Sequence, residues 1–241
     1  MSGEFVVPPR FCGPPRSGNG GYVCGRLAAF VDADVVEVTL RSPPPLNVPL
    51  VVVDDAPGVL LYAGRTLVAQ ANASVLDGEP PAAVDFATAV DAANRYAGRR
   101  DHPFPTCFVC GLDREPGDGM RLEPGTVGDG LVAAAWRPHE SLDGGPAGDG
   151  ALAREYAWSA LDCPGGWAAG IAGRPMVLGR MTARVTSTPR PRDKCVVVGQ
   201  LRGTDGRKAF TSSALYSESG ELLAAATATW LRIDPTSVVP R

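Results

Sequence analysis

Histidine is nearly missing from this chain: of 241 residues only His102 and His139 are histidine, and both sit in proline-flanked loops. That scarcity weighs against a cysteine nucleophile, which needs a histidine base beside it. No apolar run approaches the length of a membrane span. The opening MSGEFVVPPR carries an acid early and no hydrophobic segment of signal type, which predicts a protein that is not exported. Charge is nearly balanced, at a formal net −3. Nothing therefore argues electrostatically for nucleic acid or an anionic membrane as partner. Six cysteines scattered over this length do not make a secreted disulfide framework, so reduced thiols and a cytoplasmic location are expected.

What is present is glycine and proline, 29 and 23 residues, clustered between apolar runs. That pattern suggests many strands and turns rather than a helical bundle. A hydrophobic content of 44% with 20% charge is that of a globular protein with a sizeable core, in one large domain or two ordinary ones.

The stretch Arg16-Ser17-Gly18-Asn19-Gly20-Gly21-Tyr22-Val23-Cys24-Gly25 runs from a polar turn into small and apolar residues. It predicts a buried helix that Ser17 or Asn19 can cap. Gly20 and Gly21 leave the first N–H groups bare, as an anion site or as donors to a carbonyl oxygen that gains charge. The plainer reading is a tight turn before a core helix.

Strands are expected at 35–41, 50–53 and twice within 59–75, turning at Ala63-Gly64. Residues 77–104 read as a linker with its own helix, Val84 to Tyr96, after Pro80-Pro81. The second half, 105–241, offers a strand at 131–136 and a Gly/Asp/Pro loop from Asp143 to Gly150. A helix over 151–163 follows, ended or kinked by Pro164-Gly165-Gly166. Strands at 176–185, 194–203, 208–217 and 222–233 complete the chain. Each half, 1–76 and 105–241, is thus a central helix followed by a meander of strands. One duplicated α+β unit fits that order, although the residues do not visibly repeat.

This order resembles the hotdog-fold thioesterases, in which an antiparallel sheet wraps a long central helix. Asn19-Gly20-Gly21 is similar to the glycine-pair helix start of that superfamily. Cys107-Phe108-Val109-Cys110-Gly111 with Gly119-Met120-Arg121-Leu122 resembles the CFxCG…GLxL opening of many hotdog domains. The stretch from Leu178-Gly179-Arg180-Met181 to Gly220-Glu221-Leu222-Leu223-Ala224 is similar to the C-terminal half of acyl-CoA thioesterase II-like double hotdogs. The likeness covers about 10–76 and 105–234. It implies an α+β tandem hotdog, acting on acyl-CoA or acyl-carrier-protein thioesters without a cofactor, with possible pairing into homo-oligomers.

The resemblance also implies a site. Family enzymes pair a helix N-terminus, which polarises the thioester carbonyl, with a carboxylate from the facing hotdog. Here the first half has the glycine start but no helix acid, and the second has Asp162 without a glycine start. One composite site is the expectation. In it Gly21 and Tyr22 N–H would hold the thioester oxygen, and Asn19 would orient substrate or water. Asp162 would be a general base or, less readily, a nucleophile. Placed at a helix C-terminus among apolar neighbours, Asp162 should have a raised pKa; it could also simply end a helix.

Glu155 could line the same cleft or be a solvated helix acid. Arg180 falls where the subfamily has a strand acid–His pair, and Ala228, flanked by Thr227 and Thr229, replaces the subfamily's last-strand glutamine; Arg180 and Thr227 are substrate-binding candidates. The full subfamily set is therefore absent, so a catalytically silent acyl-binding protein is the alternative. A hotdog dehydratase or hydratase, which needs a histidine, is a weaker one. Cys107 and Cys110 supply two ligands where tetrahedral zinc needs more. His102 and another cysteine could complete the set, but no metal is expected. Cys163 reads as a buried thiol.

Overall fold

The computed structural model describes residues 2–128, 130–142, 144 and 148–234. Part of the loop expected from Asp143 to Gly150 lies outside them. The elements in chain order are β1 (Gly3–Val6), α1 (Gly20–Ala28), β2 (Val35–Leu40), β3 (Pro49–Asp55), β4 (Gly58–Ala63) and β5 (Thr66–Ala73). Next come α2 (Phe86–Ala92), β6 (Gly125–Gly128), β7 (Leu131–Trp136) and α3 (Arg154–Ala168). The chain closes with β8 (Met176–Val185), β9 (Cys195–Asp205), β10 (Lys208–Ser217) and β11 (Leu222–Arg232).

All strands join one antiparallel sheet in the order β1-β3-β4-β5-β2-β8-β11-β10-β9-β7-β6. The order β1-β3-β4-β5-β2 with α1 between β1 and β2 recurs as β7-β9-β10-β11-β8 with α3 between β7 and β8. The two equivalent strands meet at the centre, where β2 pairs antiparallel with β8 from Val35↔Arg184 to Thr39↔Arg180. β6 is an extra edge strand beyond this pattern.

Both main helices lie on one face of the sheet and pack on each other through glycines one turn apart. A Cβ on Gly21 would lie 2.6 Å from Asp162 Cβ and 2.6 Å from Trp158 O. On Gly25 it would lie 2.6 Å from Glu155 Cα. The Gly-Gly start thus does more than bare N–H groups: it lets two helix backbones come close enough for side chains of one to reach the end of the other.

Two sequence expectations change here. α3 does not end at Pro164 but runs through Pro164-Gly165-Gly166 to Ala168, because those small residues press against the sheet. A Cβ on Gly199 of β9 would fall 2.3 Å from Pro164 O, and one on Gly166 would touch the Trp230 ring. Packing of this buried face outweighs the local helix-breaking preference. The linker helix is also shorter than expected, Phe86–Ala92, capped by Asp85 and followed by short 3-10 turns. Its buried Ala89 packs with Ala133, Val196, Val198, Ala214 and Tyr216 on the outer face of the second half's sheet.

Candidate active site

Asn19 caps α1, its side-chain oxygen accepting from Tyr22 N at 2.9 Å. Its amide nitrogen is thereby turned outward and donates to Asp162 Oδ2 at 2.9 Å. The same oxygen accepts from Gly21 N, also at 2.9 Å. Asp162 belongs to α3, so the carboxylate of the second half closes the N-terminus of the first half's helix. The residue is 3% exposed, and its Oδ1 has no hydrogen-bond partner among the described residues.

Burial pushes the Asp162 carboxyl up to about 7. The Gly21 N–H opposes the rise, Cys107 adds to it, and Asn19 again opposes. Of the two causes expected from the sequence, a helix C-terminus and apolar neighbours, it is the second that acts. Asp162 sits two turns from the start of α3 and well before its end at Ala168, so desolvation outweighs dipole effects here.

Asp162, Asn19 and Gly20 line a cavity of about 470 Å³ between the helices and the sheet. Its walls are largely apolar, with Phe104, Trp167, Ile171, Met176, Leu178 and Trp230 contributing. Trp167 is held edge-on by Tyr96 and His102, at 4.7 and 5.1 Å between ring centroids. His102 is no free base. Its Nδ1 accepts from Phe104 N at 3.0 Å and its Nε2 lies 3.1 Å from Cys110 O, and burial lowers its pKa.

The remaining sequence candidates stand elsewhere. Tyr22 is buried and stacked on Phe11 at 4.0 Å between centroids, and its N–H is taken by the Asn19 cap. Gly21 N–H is taken by Asp162. Neither N–H that was expected to hold a substrate oxygen is therefore open, because the protein's own acceptors occupy both. Gly20 N–H, the first of α1, makes no hydrogen bond among the described residues. Glu155 lies at the helix crossing, 3.8 Å from Arg26 Nε, outside the cavity wall. Arg180 is half exposed and binds Thr39 Oγ1 at 3.0 Å, with Glu37 at 3.5 Å. Strand alternation puts Arg180 and Thr227 on the sheet face opposite the core residues Met181 and Ala226.

Sequence reasoning missed the cavity's far wall, Met176, Leu178, Trp230 and Ile233. They come from β8, from β11 and from the residue just past its end, and only the sheet order brings them to one wall. It also missed the meeting of Cys163 with Cys107 and Cys110, which are 56 and 53 residues away in sequence.

No family model matches the sequence, and no curated protein matches it. Solved structures do. One described as a thioesterase from Novosphingobium aromaticivorans superposes with a TM-score of 0.61 at 16% identity, over 97% of this chain and 96% of that one. A protein of unknown function with a hot dog fold from Alicyclobacillus acidocaldarius gives 0.59 at 13%, over 97% and 94%. The tesB protein of Mycobacterium avium subspecies paratuberculosis gives 0.56 at 13%, over 97% and 93%. The chain has the hotdog fold.

Proposed function

We propose that this chain is a tandem hotdog, residues 1–76 and 105–241 joined by 77–104, that hydrolyses acyl thioesters at one site shared between its halves. The observation that carries this is the clamped carboxylate of Asp162 at the wall of an apolar cavity. Oδ2 is fixed by Asn19 and Gly21, while Oδ1 is left unpartnered to take a proton from water. The acyl group lies against the Trp167–Leu178–Trp230 wall. The thioester carbonyl oxygen takes the Gly20 N–H, where the start of α1 favours developing negative charge. Water activated by Asp162 attacks the carbonyl carbon, and the carrier thiolate leaves. Full-length likeness to structures described as a thioesterase and as a tesB protein supports the reading.

The substrate is an acyl-CoA or an acyl group on a carrier protein. Thiol release measured on short to long acyl-CoAs and on the matching acyl-carrier thioesters tests this. Turnover peaking at one chain length is expected. Absence of turnover on every thioester would contradict it.

A second reading, a silent acyl-thioester-binding protein, is favoured by one observation: the N–H groups of Gly21 and Tyr22 are both occupied by the protein's own acceptors. That reading predicts saturable binding of a non-hydrolysable acyl-CoA analogue with no thiol release.

A further inference from the structure

Beside Asp162, three cysteines from two distant parts of the chain converge: Cys107 and Cys110 on the loop before β6, and Cys163 on α3. Their sulfurs all lie within 4.8 Å of one another, and all three residues are buried. Cys107 Sγ and Cys163 Sγ are 3.7 Å apart. A tetrahedral zinc with Zn–S bonds of about 2.3 Å needs sulfurs about 3.8 Å apart, so this pair already stands at that spacing. None of the cysteines is in a disulfide.

The loop that carries Cys107 and Cys110 is fixed by its own backbone, Cys107 N donating to Phe104 O and Gly111 N to Cys107 O, both at 2.9 Å. Asn19 Nδ2 stands 4.0 Å from Cys107 Sγ. The turn is tight enough to require the glycine after it. A Cβ on Gly111 would fall 2.4 Å from Pro105 O and 2.6 Å from Cys107 O.

We propose that Cys107, Cys110 and Cys163 form a three-thiolate site for a thiophilic divalent cation, Zn²⁺, whose fourth ligand comes from the cavity. All three cysteines line that cavity. His102 is excluded as the fourth ligand because both its ring nitrogens are committed. Zn²⁺ replaces the thiol protons, which pass to solvent, and the fourth position takes water or a small ligand entering the cavity. The inference does not rest on thioester hydrolysis and holds equally for a silent binding protein.

The test uses the full chain, reduced and stripped of metal by a chelator, then titrated with Co²⁺ and with Zn²⁺ in competition. One ion per chain, with sulfur-to-cobalt charge-transfer absorption for three thiolates, is expected. Cys163→Ser should weaken Zn²⁺ by about 100-fold, the upper end of what even an outer-shell partner's loss costs, while Cys195→Ala leaves it unchanged. Zinc should also shield these three thiols of the unaltered chain from alkylation, mapped by mass spectrometry, which keeps the test valid if a variant fails to fold. Uptake below one ion per chain, equal affinity in Cys163→Ser, or equal alkylation with and without zinc would overturn the site. A Cys107–Cys163 disulfide forming in air while no zinc is taken up would do the same.

Discussion

The two halves share one strand order but not one helix. The first half's helix is nine residues long and capped by Asn19, with glycines where it meets its partner. The second half's is fifteen residues long, has no side-chain cap, and holds the buried acid. Neither alone offers both a free-standing helix start and a carboxylate. The difference brings the cap of one helix against the acid of the other, Asn19 Nδ2 donating to Asp162 Oδ2 at 2.9 Å. The outer faces differ as well. On the second half α2 covers the sheet, while on the first Val51 and Val53 stay about 40% exposed, at 40% and 43%.

Four substitutions break or sharpen this contrast. Gly21→Val, at the helix crossing, forces a side chain into Asp162 Cβ and Trp158 O. It should cost about 3 kcal/mol in urea unfolding, the upper range for overpacking, and abolish the site. Ala89→Glu puts a charge between α2 and the second half's sheet, where Ala89 is fully buried. A loss of about 2 kcal/mol is expected, since the charge must be desolvated or α2 must lift away. Asn19→Ala removes the α1 cap and one of the two donors to Asp162. It should cost about 1 kcal/mol and lower thioester turnover about tenfold, read by thiol release. Val53→Lys, on the uncovered face of the first half, should shift stability by less than about 0.5 kcal/mol. A large loss there would mean that this face is covered too.

Much of the fold was legible in the sequence because the strands alternate cleanly. The expected 176–185 and 208–217 are the observed spans of β8 and β10. β1 and β6 were not legible. Gly3–Val6 and Gly125–Gly128 are four residues each, too short to show a period, and exist only as edges of a sheet built by others. The run of α3 through Pro164 was hidden because local propensity opposes it, and only Gly199 and Trp230 beneath it explain it. Asn19 and Asp162 could be singled out from helix-capping chemistry and a family likeness. That Asp162 itself takes the Gly21 N–H was not visible, because it depends on how closely two helices cross. Arg180 and Thr227 were drawn in by position along strands whose outward face only the register reveals.

The central claim is that Asp162 is the base of a composite site, and its most direct test is Asp162→Asn, compared with the unaltered chain on the best thioester. An asparagine oxygen can still accept from Asn19 and Gly21, and it removes the cost of a buried carboxylate. The variant should melt at the same temperature or higher. Thiol release should fall by about a hundredfold or more, the scale of a lost general base. A variant that folds as well and still turns over within a few-fold of the unaltered chain would contradict the account.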